Sequence, residues 1–193
     1  MSKRMEQKEQ RRLHILETAL DLFIRKGYGE TRIVDIARAS NMSMGLLFHY
    51  FESKEKLYEV LVRSGCERMS MEINLETDSP LDFFRRAVED IFFMITSSPS
   101  AAKMFVLMEQ AHHSTTLPQE LKNVLTEADR LIENCVPLIE QGQLLGELRA
   151  GDPKALSIAF WCSIQGIAQQ LALYPDASCP DADWVLSIIK MEK

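Results

Sequence analysis

The chain has no C-x-x-C pair, and so lacks the usual mark of a zinc ribbon or a thiol redox centre. Its four cysteines, Cys66, Cys135, Cys162 and Cys179, are scattered. They imply no disulfide framework and are expected to be buried free thiols. No run of eighteen or more uninterrupted apolar residues occurs, and the stretch from Met1 to Lys8 has no apolar core of the kind that leads a secreted chain. The expectation is a cytoplasmic protein with no membrane partner. Catalytic signatures are missing too: there is no G-x-S-x-G, no H-E-x-x-H and no phosphate-cradling glycine loop. An enzyme is therefore not expected, and no cofactor is implied. His112 and His113 are neighbours, which on a helix point about a hundred degrees apart and make a poor metal pair. No two-residue alternation of apolar and polar residues appears, so strands are not expected and the fold class is all-α.

What the chain does have is apolar volume, 46% of its residues, enough for a packed core. Its charge is unevenly placed. The net charge is −6, but residues 1–63 hold twelve Lys/Arg against nine Asp/Glu (+3) while 64–193 hold ten against nineteen (−9). The first part is the one suited to phosphate. Lys3, Arg4, Lys8, Arg11 and Arg12 crowd its beginning, where a basic arm could follow a groove or simply remain solvated.

Periodicity organises that first part into helices. Leu13, Leu16, Leu20, Phe23 and Ile24 form a stripe from about Lys8 to Lys26, stopped by Gly27. Two short helices follow. Thr31 is placed to cap the first through its hydroxyl, with Ile33, Ile36 and Ala37 on one apolar face. Ser40-Asn41 supplies a turn, since Asn tolerates positive φ better than most residues. Ser43 is placed to cap the second helix, whose buried face carries Leu47 and Phe51. Met44, Gly45, Leu46, Phe48, His49 and Tyr50 are left for outward or edge positions. Gly45 removes bulk near the helix start, either for close approach to a sugar-phosphate backbone or for packing against a neighbouring helix. Another helix begins at Ser53 and carries Leu57, Val60 and Leu61.

The pattern Gly27-Tyr28, Thr31, Ile36-Ala37, Ala39, Met42-Ser43, Gly45, Leu47-Phe48, Tyr50-Phe51, Ser53-Lys54-Glu55 and Leu57 resembles the tetracycline-repressor (TetR) family of bacterial regulators over roughly the first third of the chain. The resemblance implies an N-terminal three-helix DNA-binding domain with a helix-turn-helix, a larger helical domain that binds a small ligand, and a homodimer that mostly represses. On that reading the candidate DNA-binding residues are Thr31, Arg32, Ser43, Met44, Gly45, Leu46, Phe48, His49, Tyr50 and Lys54. The chain departs from the family pattern in three places. Asn41 stands where the family usually has Gly, Phe48 where it usually has Tyr, and Leu46 where a small or hydroxyl residue is common. Phe48 offers no phenolic hydrogen bond to a phosphate, so Tyr50, His49 or Lys54 would carry more of that contact. Met44 and Leu46 suit thymine methyl groups better than guanine acceptors.

The expected domains are 1–63 for DNA and 64–193 for ligand and dimerisation. After a turn at Ser79-Pro80, helices are expected near 80–97, 101–114, 118–142, 152–174 and 181–191. The candidate ligand-binding residues are Phe84, Phe92, Phe105, Met108, His112, Trp161 and Gln165, with Gln110 and His113 as further polar probes. Such aromatic and Met side chains line adaptable sites but also fill ordinary cores, and they point to a small apolar or amphipathic effector. The candidate dimerisation residues are Leu156, Phe160, Ser163, Ile167, Leu171, Trp184 and Ile188, on helices whose small residues permit close approach. The same helices could instead only cover their own core. The expected partners are therefore a double-stranded DNA operator, an effector and a second copy of the chain. The rival reading keeps the helix-turn-helix scaffold as a ligand-binding or protein-interaction module without specific DNA binding.

Overall fold

The computed structural model of the chain describes residues 3–69, 79–115, 117–128 and 130–192. Among the described residues there are eleven helices and no strand, with one isolated antiparallel bridge between Leu148 and Lys190. The chain divides into two compact units. The first comprises 1–67 together with 106–125, the second 68–105 together with 126–193.

The division differs from the single cut expected at 63/64. The fourth helix, α4 (Lys54–Met69), runs through that position without a break, because its buried side continues from Leu57, Tyr58, Leu61 and Val62 to Cys66. Residues 106–125 join the first unit because α6 (Pro99–His112) buries residues along its whole length, from Ala101, Ala102, Met104 and Phe105 to Leu107, Met108 and Ala111. Periodicity identifies such a helix but not which neighbours it serves.

In the first unit, α1 (Lys3–Glu30) buries Ile15, Ala19, Leu20, Leu22 and Phe23. Leu13, expected in that stripe, is 43% exposed. Gly27 interrupts the helix with φ 80° and ψ 159°, a conformation glycine adopts without the Cβ clash of other residues. The basic residues from Lys3 to Arg12 lie on this helix and not on a loose arm. Where α1 ends, three rings lock together: Phe23 and Tyr58 meet edge to face at 5.0 Å, and Tyr28 lies 4.5 Å from Tyr58. Ser53 caps α4, its hydroxyl accepting from the Lys56 amide at 3.1 Å.

The second unit begins with α5 (Pro80–Ser97), capped by Ser79 and opened by Pro80. Its buried face, Phe84, Ala87, Val88, Phe92 and Ile95, follows helical spacing. The helix expected over 118–142 is broken into α7 (Gln119–Ala128), α8 (Leu131–Asn134) and α9 (Val136–Leu144). Pro137 sits in the first turn of α9, where its missing N–H costs nothing, whereas inside a continuous helix it would remove a hydrogen bond. α10 (Pro153–Leu173) is capped by Asp152, whose carboxylate accepts from the Ala155 amide at 2.7 Å. By length and composition alone α10 could cross a membrane, yet its Phe160, Trp161, Ile164 and Ala168 are buried in the core of this unit. The terminal helix expected over 181–191 is only α11 (Ala182–Leu186). Beyond it the chain extends along the Glu147–Arg149 segment: Arg149 N–H donates to Ile189 C=O at 2.8 Å and Met191 N–H to Glu147 C=O at 3.0 Å. Extension lets Leu148 and Ile189 bury together, both at 0% exposure.

Candidate nucleic-acid interface

Two short helices, α2 (Ile33–Ala39) and α3 (Met44–Tyr50), form the helix-turn-helix. The turn between them is a Schellman closure. Asn41 is left-handed at φ 55°, its N–H donates to Arg38 C=O at 3.1 Å, and the Met42 N–H reaches back to Ala37 C=O at 2.9 Å. Asn is one of the few residues other than Gly that adopts this conformation readily, so the departure from the family's glycine leaves the turn intact. Ser40 is buried with its hydroxyl donating to Ile36 C=O at 2.8 Å. Ser43 caps α3 as expected, accepting from the Leu46 amide at 3.2 Å.

Leu47 and Phe51 anchor α3, with 0% and 4% exposure. That leaves Ser43, Gly45, Phe48 and His49 exposed, and Met44, Leu46 and Tyr50 half-buried at the edges. The His49 and Tyr50 rings meet edge to face at 5.6 Å. A Cβ built on Gly45 would meet nothing within 4 Å. The alternative that Gly45 packs against a neighbouring helix is thereby removed. Arg32 is exposed just before α2, and Arg38, which the sequence analysis did not single out, is exposed in its last turn. A lone cation at a helix C-terminus is also explained by the helix dipole, which is why its sequence signal was weak.

Two candidates are placed differently from expectation. Thr31 is buried, at 0% exposure, and does not cap α2: its hydroxyl faces Gly27 C=O at 2.8 Å and Leu22 C=O at 3.3 Å, so it closes the end of α1. It is unavailable to DNA. The carbonyls freed by the break at Gly27 outcompete the α2 amides for it. Lys54 is half-buried, with its ammonium donating to Tyr28 C=O at 2.9 Å and lying 4.2 Å from the centre of the Tyr28 ring. That group serves the unit's own packing first. The Tyr28 phenol donates to the Glu55 carboxylate at 3.3 Å, and burial, then the Glu55 charge, push its pKa up to about 12.

The expected ligand residues do not form one cluster. Phe84, Phe92, Phe105 and Trp161 belong to the core of the second unit, where Phe160 lies 5.1 Å from Phe84 and 5.0 Å from Trp161, ring centre to ring centre. Gln165 is half-buried in α10. Met108 and His112 belong to the first unit, Met108 buried and His112 exposed. Gln110 is also in the first unit, its side-chain amide donating to Ile24 C=O at 3.1 Å. The Trp161 indole nitrogen is buried without a nitrogen or oxygen partner. It lies by Cys135, whose thiol burial pushes up to about 11 while the indole N–H works the other way.

Of the expected dimerisation residues, Phe160 is fully buried in its own core, and Leu156, Ile167, Leu171 and Ile188 pack half-buried against that core. Ser163 turns its hydroxyl onto Ala159 C=O at 2.6 Å. Trp184 alone is strongly exposed, at 70%. The outward side of α10 instead carries Ile158, Ala159, Cys162, Gly166 and Leu173. The apolar stripe of α10 runs nearly all round, and periodicity could not tell its inner side from its outer one.

Residues 15–61 match the profile of "Bacterial regulatory proteins, tetR family". The chain is 30% identical over 156 residues to the HTH-type transcriptional regulator RutR of Escherichia coli, an alignment covering 80% of this chain and 72% of RutR. It is 22% identical over 185 residues to the HTH-type transcriptional regulator TtgR of Pseudomonas putida, covering 89% and 85% of the two chains. Among solved structures, AibR in complex with isovaleryl coenzyme A and operator DNA superposes with a TM-score of 0.65 at 20% identity, over 92% of this chain and 94% of AibR. With its helix-turn-helix built as these relatives require, the chain belongs to the TetR family and is a DNA-binding transcriptional regulator.

Proposed function

We propose that this regulator is a cytoplasmic repressor, which binds a palindromic operator as a homodimer and is released by a small, largely apolar effector. The observation that carries the DNA half is α3, which exposes one face, is capped by Ser43, and has open space where Gly45 lacks a side chain. Arg32, Ser43, Gly45, His49 and Tyr50 are the phosphate and backbone contacts, with Arg38 added. Met44, Leu46 and Phe48 are the apolar groups at base edges, suited to thymine methyl groups. Lys54 supports the site by holding Tyr28 and reaches a phosphate only with its remaining N–H groups.

A helix this short reads few bases, so specificity calls for two copies about 34–36 Å apart, one turn of DNA. The outward side of α10 and the exposed Trp184 are the surface that would bring them together. The effector lies among Phe84, Phe92, Phe105, Trp161 and Gln165, where the Trp161 N–H has no nitrogen or oxygen partner to displace. That AibR has been solved with both a small molecule and operator DNA supports a two-ligand switch here. A coupling of about 1–3 kcal/mol would change operator affinity roughly 5- to 150-fold.

Selection of bound duplexes from a random library by the purified chain, with and without cell extract as an effector source, tests the reading. Recovery of a palindrome, depleted by extract, is the expected result. No enrichment at low salt in either condition would overturn it in favour of the interaction module.

A further inference from the structure

The first unit holds a cleft of about 460 Å³ that DNA reading leaves unused, a volume within the ordinary range for small-molecule sites. Its wall includes Tyr28, Tyr58, Glu109, Gln110, His113 and Ser114. Tyr58 is the informative residue. It is only 2% exposed, and its hydroxyl has no hydrogen-bond partner among the described residues, although buried phenols normally find one. Its ring is held between Phe23 and Tyr28, so the hydroxyl is fixed in position. Burial pushes the Tyr58 pKa up to about 12, and the group stays a neutral O–H.

The rest of the lining is rich in acceptors. Gln110 uses its amide N–H on Ile24 C=O, which leaves its carbonyl oxygen. The Glu109 carboxylate meets His113 Nε2 at 2.8 Å, and a carboxylate has room for further donors. A smaller adjoining cleft of about 80 Å³ shares Tyr28 and Tyr58 and adds Glu55, Glu59 and Glu120. Among the described residues, no Lys or Arg lines either cleft. Aromatic faces, carboxylates and neutral oxygens together recognise a cation that carries N–H donors. An anion would be repelled, and an uncharged apolar guest would leave the acceptors unpaired.

We propose that this cleft is a second small-molecule site, one that takes a short aliphatic amine or diamine through its ammonium group, with Glu109, the Gln110 carbonyl and the Tyr58 hydroxyl as its acceptors. The site is separate from the effector region in the second unit and stands whether or not that region binds anything. Isothermal titration of the full chain with 1,4-diaminobutane, and with 1,4-butanediol as the uncharged control, tests it directly. The diamine is expected to bind and the diol to stay silent. Glu109→Gln should weaken diamine binding about tenfold or more, the loss expected for a charge-assisted hydrogen bond, and Tyr58→Phe about threefold to tenfold. Glu140→Gln, which removes an exposed carboxylate elsewhere, should leave it unchanged. Absence of diamine binding up to about 10 mM, equal binding of the diol, or full affinity in Glu109→Gln would overturn the proposal. Where Tyr58→Phe does not fold, Glu109→Gln alone decides the question.

Discussion

A glycine inside a short helix costs stability unless something requires it. Nothing in this chain requires Gly45, since a Cβ there meets no atom within 4 Å. The requirement then lies in what approaches α3 from outside, and a DNA backbone is that object. Gly45→Ala should therefore raise the stability of the free protein by about 0.5–1 kcal/mol while lowering operator affinity. Thermal melts and gel-shift titrations on one preparation read both effects, and unchanged DNA affinity would remove the backbone from that approach. Thr31 shows the opposite pattern. Its hydroxyl is spent on carbonyls at the end of α1, so Thr31→Val should cost about 1 kcal/mol of stability and leave the salt dependence of DNA binding as it was. A flatter salt slope in Thr31→Val would return the residue to the interface. In the sequence, Thr31 and Ser43 look alike, each a hydroxyl just ahead of an apolar helix. What separated them was the kink at Gly27, which freed carbonyls beside Thr31 and none beside Ser43.

At the scale of the element, the helix-turn-helix is held by the Schellman turn as much as by its apolar anchors. Asn41 at φ 55° is the residue on which that turn depends. Replacing it with Ala places a Cβ in a left-handed conformation at a cost of about 1–2 kcal/mol, whereas Asn41→Gly should be tolerated. Urea unfolding of the two variants measures the difference, and equal midpoints would show that the turn carries no such strain. This element was legible in the sequence because its signals are local: a turn residue, a cap and two buried positions within twenty residues. The elements that were misread depend on distant partners. A helix over 118–142 fits the apolar period, and Pro137 marks a break only once the helix is seen to restart around it. Residues 187–191 have helix-forming composition, yet they extend because pairing with Glu147–Arg149 buries Ile189 against its own unit. The assignment of 106–125 to the first unit was likewise hidden, because α6 is buried along its length and its sequence does not name its neighbours. For the same reason the ligand set chosen from aromatic and Met content was divided between the units, while the DNA set, apart from Thr31 and the partly committed Lys54, stayed on one surface.

At the scale of the whole molecule, specificity is limited by what one copy can do alone. A recognition helix of seven residues, Met44–Tyr50, makes few base contacts, and each well-formed one discriminates by only about 1–3 kcal/mol. Specific sites are typically bound about 10³–10⁷ times more tightly than non-specific DNA, a ratio that few contacts from one copy do not reach. Linking two copies makes the second half-site encounter intramolecular and raises its effective concentration to the millimolar range. Dimer contact and operator affinity should then fail together. The exposed apolar groups suited to that contact are Ile158 at 41% and Trp184 at 70% exposure, neither of which belongs to its own unit's buried core. The double variant Ile158→Glu with Trp184→Glu should therefore keep its circular dichroism spectrum and melting temperature, sediment as a monomer, and lose operator binding by more than tenfold while retaining weak, salt-sensitive attraction to any DNA. A variant that sediments as a dimer with full operator affinity would place the two-fold contact on another surface. One that becomes monomeric yet still reads the operator at full strength would show that a single copy suffices, and the palindromic reading would fall with it.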